Sequence, residues 1–232
     1  MRWKRVAGVA AVLALAAVPW WGRLALRPFS FFAVRRVELV GVRYLAPATV
    51  MAALGLEREA SVWDRLAPLE SRLGELPGVA EVSVARRLPE TLVVTVREVE
   101  PVALAAGRGA VVPVGVDGRP LPYDAARAPV DAPVVQRPDT ALLAALAVVG
   151  DVDPELFARI STARWGPNGS AELEMEGGGL LRLAVPLDPG TVRSVAAVQR
   201  DLGARSQGWR ELDGRFAGWV VVRRAPRSEV SS

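Results

Sequence analysis

The chain has 232 residues, 29 Lys+Arg against 25 Asp+Glu, 51% hydrophobic residues, and neither cysteine nor histidine. The missing cysteine excludes disulfides, thiolate nucleophiles and Cys-ligated metals. The missing histidine excludes Ser-His-Asp triads and the usual zinc sites. The length suits one or two small domains and is too short for a large multidomain enzyme.

The basic excess is local. The first 43 residues hold eight basic side chains and one acid, whereas residues 44–232 hold 21 basic and 24 acidic ones. A nucleic-acid binder concentrates Arg and Lys on its folded surface; here that part is mildly acidic. The basic residues instead flank one long apolar run, Val6–Leu26. At 1.5 Å per residue it makes about 32 Å of helix, against a hydrocarbon core of about 30 Å. Arg2, Lys4 and Arg5 form the positive flank, Trp20 and Trp21 stand where an aromatic belt is expected, and Arg23 reaches the far headgroups. The run predicts a cytoplasmic tail at 1–5 and a transmembrane helix at 6–26, with the bulk of the chain extracytoplasmic. A cleaved signal peptide with Ala14-Leu15-Ala16 as its site is the competing reading, but the apolar stretch continues past that site into tryptophans.

After Pro28 the chain becomes extended. Val34, Val37, Leu39 and Val42 have strand spacing, with Gly41 near the end. Pro47 opens a helix that presents Val50, Ala53, Leu54 and Leu56. Leu66, Leu69, Leu73 and Leu76 predict a second helix over Asp64–Leu76, despite Pro68. Pro77-Gly78 ends it. Val79, Val82 and Val84 mark a strand, residues 86–90 a turn, and Thr91–Val99 a returning strand, which together make an antiparallel hairpin. The order β-α-α-β-β buries both leucine stripes if two helices cover one face of a three-stranded sheet.

The second block starts with short strands at Ala103–Ala106 and Ala110–Val116, joined by Gly107-Arg108-Gly109. Asp117-Gly118 turns again, and the Pro/Ala-rich stretch from Pro120 to Pro138 reads as loop. Helical runs follow at Ala141–Val149 and Pro154–Ile160. A hairpin spans Ala171–Glu176 and Leu180–Val185, a helix presents Val192, Val195, Ala196 and Leu202, and Glu211–Arg223 closes the chain as a terminal strand. The fold class is therefore α+β throughout.

Two segments carry a resemblance. The first is Leu76-Pro77-x-Val79-x-x-Val82-x-Val84-x-Arg86-x-x-Pro89-x-x-Leu92-x-Val94-x-Val96-x-Glu98, followed by Pro101-Val102-Ala103. The second is Leu212-Asp213-Gly214-Arg215-Phe216 with Val220-Val221-Val222-Arg223. Together with the anchor they resemble the FtsQ/DivIB family of bacterial cell-division proteins. Val99 stands where the family has Arg, and Gly214 where it has Leu. The resemblance implies a POTRA domain over 27–101, a C-terminal FtsQ/DivIB-type domain over 102–224 and a disordered tail over 225–232. It also implies a single-pass protein of the inner membrane, concentrated at the septum, that binds the FtsB/FtsL pair through its last strand. Arg215, Phe216, Gly218, Trp219 and Val220 are the corresponding partner-binding residues.

No catalytic constellation competes with this reading. Gly107-Arg108-Gly109 lacks the third glycine of a dinucleotide fingerprint, and Gly177-Gly178-Gly179 lacks the Lys-Ser/Thr of a phosphate loop. Glu172, Glu174 and Glu176 read as a solvated strand face rather than a cation site. Asp151 and Asp153 read as helix capping before Pro154. The expectation is a non-enzymatic scaffold without cofactor, metal or nucleic acid. The alternative is a POTRA-bearing periplasmic chaperone or outer-membrane assembly component, but the sequence shows no internal repeat and has no room for a large barrel.

Overall fold

The computed structural model describes residues 29–106, 110–123 and 129–224. The chain forms two compact units, residues 1–98 and 99–232. Among the described residues no helix is long and apolar enough to cross a membrane. The apolar run at 6–26, its flanking residues and the 225–232 tail lie outside the described residues.

In the first unit, β1 (Arg36–Val40) leads to α1 (Pro47–Leu54) and α2 (Ala67–Gly74), then β2 (Val79–Arg87) and β3 (Thr91–Glu98). The sheet order is β1-β3-β2, with β3 parallel to β1 and antiparallel to β2. The central strand alternates as a half-buried strand should, burying Leu92, Val94 and Val96 together with Val50 and Leu54 of α1 and Leu69 and Leu73 of α2. The second helix starts three residues later than its leucine spacing suggests. Pro68 is tolerated only in a first turn, so Ala67 opens α2 and Asp64 stays in the loop, where its carboxylate accepts the Ser61 N–H at 2.8 Å.

Two details fix this unit. Gly41 takes φ +82°, and a Cβ there would lie 2.2 Å from the Val96 carbonyl oxygen, so β1 passes too close to β3 for any side chain. Glu98, buried at the end of β3, accepts the backbone N–H groups of Arg43, Tyr44 and Leu45 at 3.1, 2.8 and 2.8 Å. The motif's Arg86 donates to the Val62 and Asp64 carbonyls, tying β2 to the loop before α2.

The second unit runs β4 (Ala103–Ala106), β5 (Val111–Val114), β6 (Val134–Val135), α3 (Thr140–Val152), α4 (Pro154–Ala158), β7 (Ile160–Trp165), β8 (Ala171–Met175), β9 (Leu180–Leu183), α5 (Pro189–Ala204), β10 (Trp209–Phe216) and β11 (Trp219–Arg224). They form one eight-stranded sheet ordered β11-β10-β9-β8-β7-β6-β4-β5. Leu142, Leu143, Leu146 and Val149 of α3 and Val192, Val195 and Ala196 of α5 share a core with Leu173, Leu181, Leu183 and Leu212 of the sheet. Each helix starts on an aspartate cap. Asp139 accepts from Ala141 and Leu142, Asp153 from Leu156, and Asp188 from Thr191. Proline follows the last two caps at the first helical turn. The crossover through α5 lets β10 pair parallel to β9, as such a connection requires.

Three expectations are corrected here. The 120–138 stretch is not all loop, because β6 inserts Val134 and Val135 between β4 and β7. The helical run ending at Ile160 stops at Ala158, and Ile160 begins β7, paired antiparallel to β8. The closing segment is a hairpin rather than one strand: β10 and β11 pair antiparallel, with Phe216 opposite Trp219 and Gly218 at φ +76° in the turn.

The two edges of the large sheet differ. On β5, Pro113 has no N–H to offer, its carbonyl accepts the Leu121 N–H at 2.8 Å, and Val114 bridges Pro120. On β11, no described strand pairs with the side facing away from β10.

Candidate binding edge and charged sheet face

The five candidate partner-binding residues all fall on the β10–β11 hairpin, but in different settings. Phe216 and Trp219 are 52% and 76% exposed at its tip. Gly218 forms the turn between them. Val220 faces inward and packs with Val222 against the core, whereas Val221 is exposed on the same side as Trp219. The tip stands beside the start of α5, and a cleft of about 340 Å³ opens between them, bordered by Asp188, Gly190, Thr191 and Ser194 on one side and Phe216–Val220 on the other.

Arg215 is paired within the chain. Its guanidinium donates to both carboxylate oxygens of Asp213, at 2.9 and 2.6 Å, and lies 5.9 Å from the Phe216 ring centre. Donation from Arg215 holds the Asp213 carboxyl below its ordinary value, outweighing the opposing effect of burial, and Asp213 in turn raises Arg215. The Arg215 backbone N–H also donates to Asp213, at 3.1 Å, so the pair closes a local contact at the end of β10.

A stripe of alternating charge crosses the sheet face opposite the helices. Arg164 of β7 contacts Glu172 of β8 at 2.9 Å, and Glu172 meets Arg182 of β9 at 3.0 Å. Arg182 meets Glu211 of β10 at 2.7 Å, and Glu211 meets Arg223 of β11 at 3.3 Å. Glu172 is 3% exposed, which corrects its reading as a solvated residue: guanidinium groups from both neighbouring strands cover it. Removing one member of a buried ion pair leaves the other charge uncompensated, at a cost of about 3–5 kcal/mol. Of these five residues the sequence reading weighs only Glu172, as a cation ligand set aside for a solvated face; Arg164, Arg182, Glu211 and Arg223 are not singled out there as site residues. The signal that could have found them is opposite charge recurring at outward positions of successive strands. Among the described residues no three acidic side chains converge on a metal position.

Residues 32–98 match the family described as POTRA domain, FtsQ-type. The chain carries an FtsQ-type POTRA domain. It is also 31% identical over 105 residues to the cell division protein DivIB of Geobacillus kaustophilus (strain HTA426), a match covering 44% of this chain and 40% of that relative. The POTRA match is confined to residues 32–98, and the chain spans less than half the length of the DivIB relative. The POTRA match ends at Glu98, where the first compact unit ends. Glu98 thus anchors the last residue of the POTRA sheet to the β1–α1 loop, and the candidate binding edge lies beyond the POTRA domain.

Proposed function

We propose that the chain is a non-enzymatic, membrane-anchored scaffold of bacterial cell division, whose second unit takes up an extended segment of a partner along β11. The cell-division role is supported by the FtsQ-type POTRA domain and the DivIB relative. The apolar run at 6–26 supports a single-pass anchor in the inner membrane with the bulk outside and the protein gathered at the septum. By family resemblance the partners are FtsB- and FtsL-like bitopic proteins.

The observation that carries the binding mode is the free edge of β11 with an aromatic residue at each side of its turn. An exposed edge offers unpaired N–H and C=O groups to an incoming strand. Six residues of β11 turn about three toward that side, and each backbone bond contributes only about 0.5–1.5 kcal/mol net. Association itself costs about 4–15 kcal/mol. About six such bonds, about 3–9 kcal/mol in all, leave little or nothing after that cost, and Trp219 and Phe216 supply the side-chain contact that holds the partner.

The test pairs binding with stability. Trp219→Ala removes a mostly exposed side chain, so the melt should stay within the roughly 0.5 kcal/mol typical of surface changes, while pull-down of FtsB- and FtsL-like proteins is lost. Depletion of the protein should give filamentous cells. Unchanged pull-down by the W219A chain would remove the edge from the proposal, and normal septation on depletion would remove the division role.

A further inference from the structure

We infer that the segment pairing with β11 carries an acidic residue opposite Arg223, flanked on the same face by apolar residues; this rests on the edge-pairing function proposed above. The charged stripe supplies the reason. Glu172, Arg182 and Glu211 each touch an opposite charge on both neighbouring strands. Arg223 touches one, Glu211, and its other side is the open edge, with the side chain 65% exposed. A strand added there continues the alternation only with a carboxylate at that register, since opposite charges directly across a strand pair attract and like charges repel.

The rest of β11 fixes the neighbours. Val221 and Trp219 follow Arg223 at two-residue steps on the same face, so the residues two and four positions from the carboxylate meet apolar surface. On the other face Val220 and Val222 continue the core and call for small or branched apolar residues. A second copy of this chain does not fit: β11 contains no acidic residue, so pairing the same edge of two copies leaves both Arg223 side chains without a carboxylate across the new ladder.

The probes are ten-residue strand peptides identical except for Glu, Gln or Lys at the position opposite Arg223, made in both chain directions and titrated to millimolar concentration onto the full chain in detergent. Amide exchange of β11 reports whether the edge is engaged. The Glu peptide should bind up to about fivefold tighter than the Gln peptide, with Lys weakest and the spread narrowing in high salt. Arg223→Glu should reverse the order. Arg223→Gln, which avoids placing two carboxylates together beside Glu211, should abolish the Glu-over-Gln preference. Protected β11 amides with no charge preference, or the same preference in R223Q, overturn this inference and leave edge pairing standing. A dimer of the chain that protects β11 overturns it as well. No protection with any peptide overturns both.

Discussion

Replacing Glu98 with alanine should unfasten the POTRA unit at one defined place. Its carboxylate accepts three backbone N–H groups, from Arg43, Tyr44 and Leu45, inside the loop that joins β1 to α1. A hydrogen bond to a charged group contributes about 1.5–3 kcal/mol. The three share one carboxylate and the loop relaxes in part, so the expected loss is about 3–5 kcal/mol, a large share of the 5–15 kcal/mol typical of a whole domain. Glu98→Gln keeps one accepting oxygen but turns an NH2 group toward an N–H, and should fall between wild type and E98A. Amide exchange is the direct assay, because the loop amides report the lost acceptor locally. With tenfold per 1.4 kcal/mol, residues 43–45 should exchange more than about 100 times faster in E98A. Exchange within threefold of wild type at all three amides would refute the reasoning.

Other expectations follow from close packing and paired charge. Gly41→Ala sets a Cβ against the Val96 carbonyl at positive φ, so the first unit should lose more than about 2 kcal/mol, read as a fall in its melting temperature. Gly214→Ala brings a Cβ to 3.0 Å from Val195 and 3.2 Å from Leu183 and Thr191; α5 must retreat from β10, at about 1–3 kcal/mol by denaturant titration. The pH dependence of Asp213 has a definite sign. Its folded pKa is depressed below the ordinary aspartate value of 3.8, so its contribution is complete above that value and is lost as pH falls through the lower folded one. Carboxyl carbon NMR should show a midpoint below 3.8 that returns toward it in Arg215→Gln.

Patterns with a long enough period were legible in the sequence. The alternation of Leu92, Val94 and Val96 gave β3 its buried face, and Pro47 marked the first turn of α1. Elements without a period were not. The two residues of β6 cannot display alternation, and Ser161, Thr162 and Arg164 make β7 too polar to stand out beside the Leu156–Ile160 spacing that suggests a helix. At the candidate edge, the aromatic residues and their position near the terminus could be read, but not the turn at Gly218 that sets Phe216 opposite Trp219. Burial of Glu172 and Glu211 could not be read at all, because it depends on which arginines the strand register brings alongside.

The closed edge at β5 gives the large sheet a valency of one. Among the described residues, Pro113 and the Leu121 and Pro120 contacts occupy the Pro113–Val114 end of that side, so under the proposed edge pairing the strand is gained beyond β11. Once that place is taken, the outermost strand belongs to the partner, and any further growth depends on the partner's own surface. On that reading the unit starts an assembly at this sheet and does not link two others. Under the proposed edge pairing, partner stoichiometry at the sheet is then one segment per chain, however many chains gather at one place.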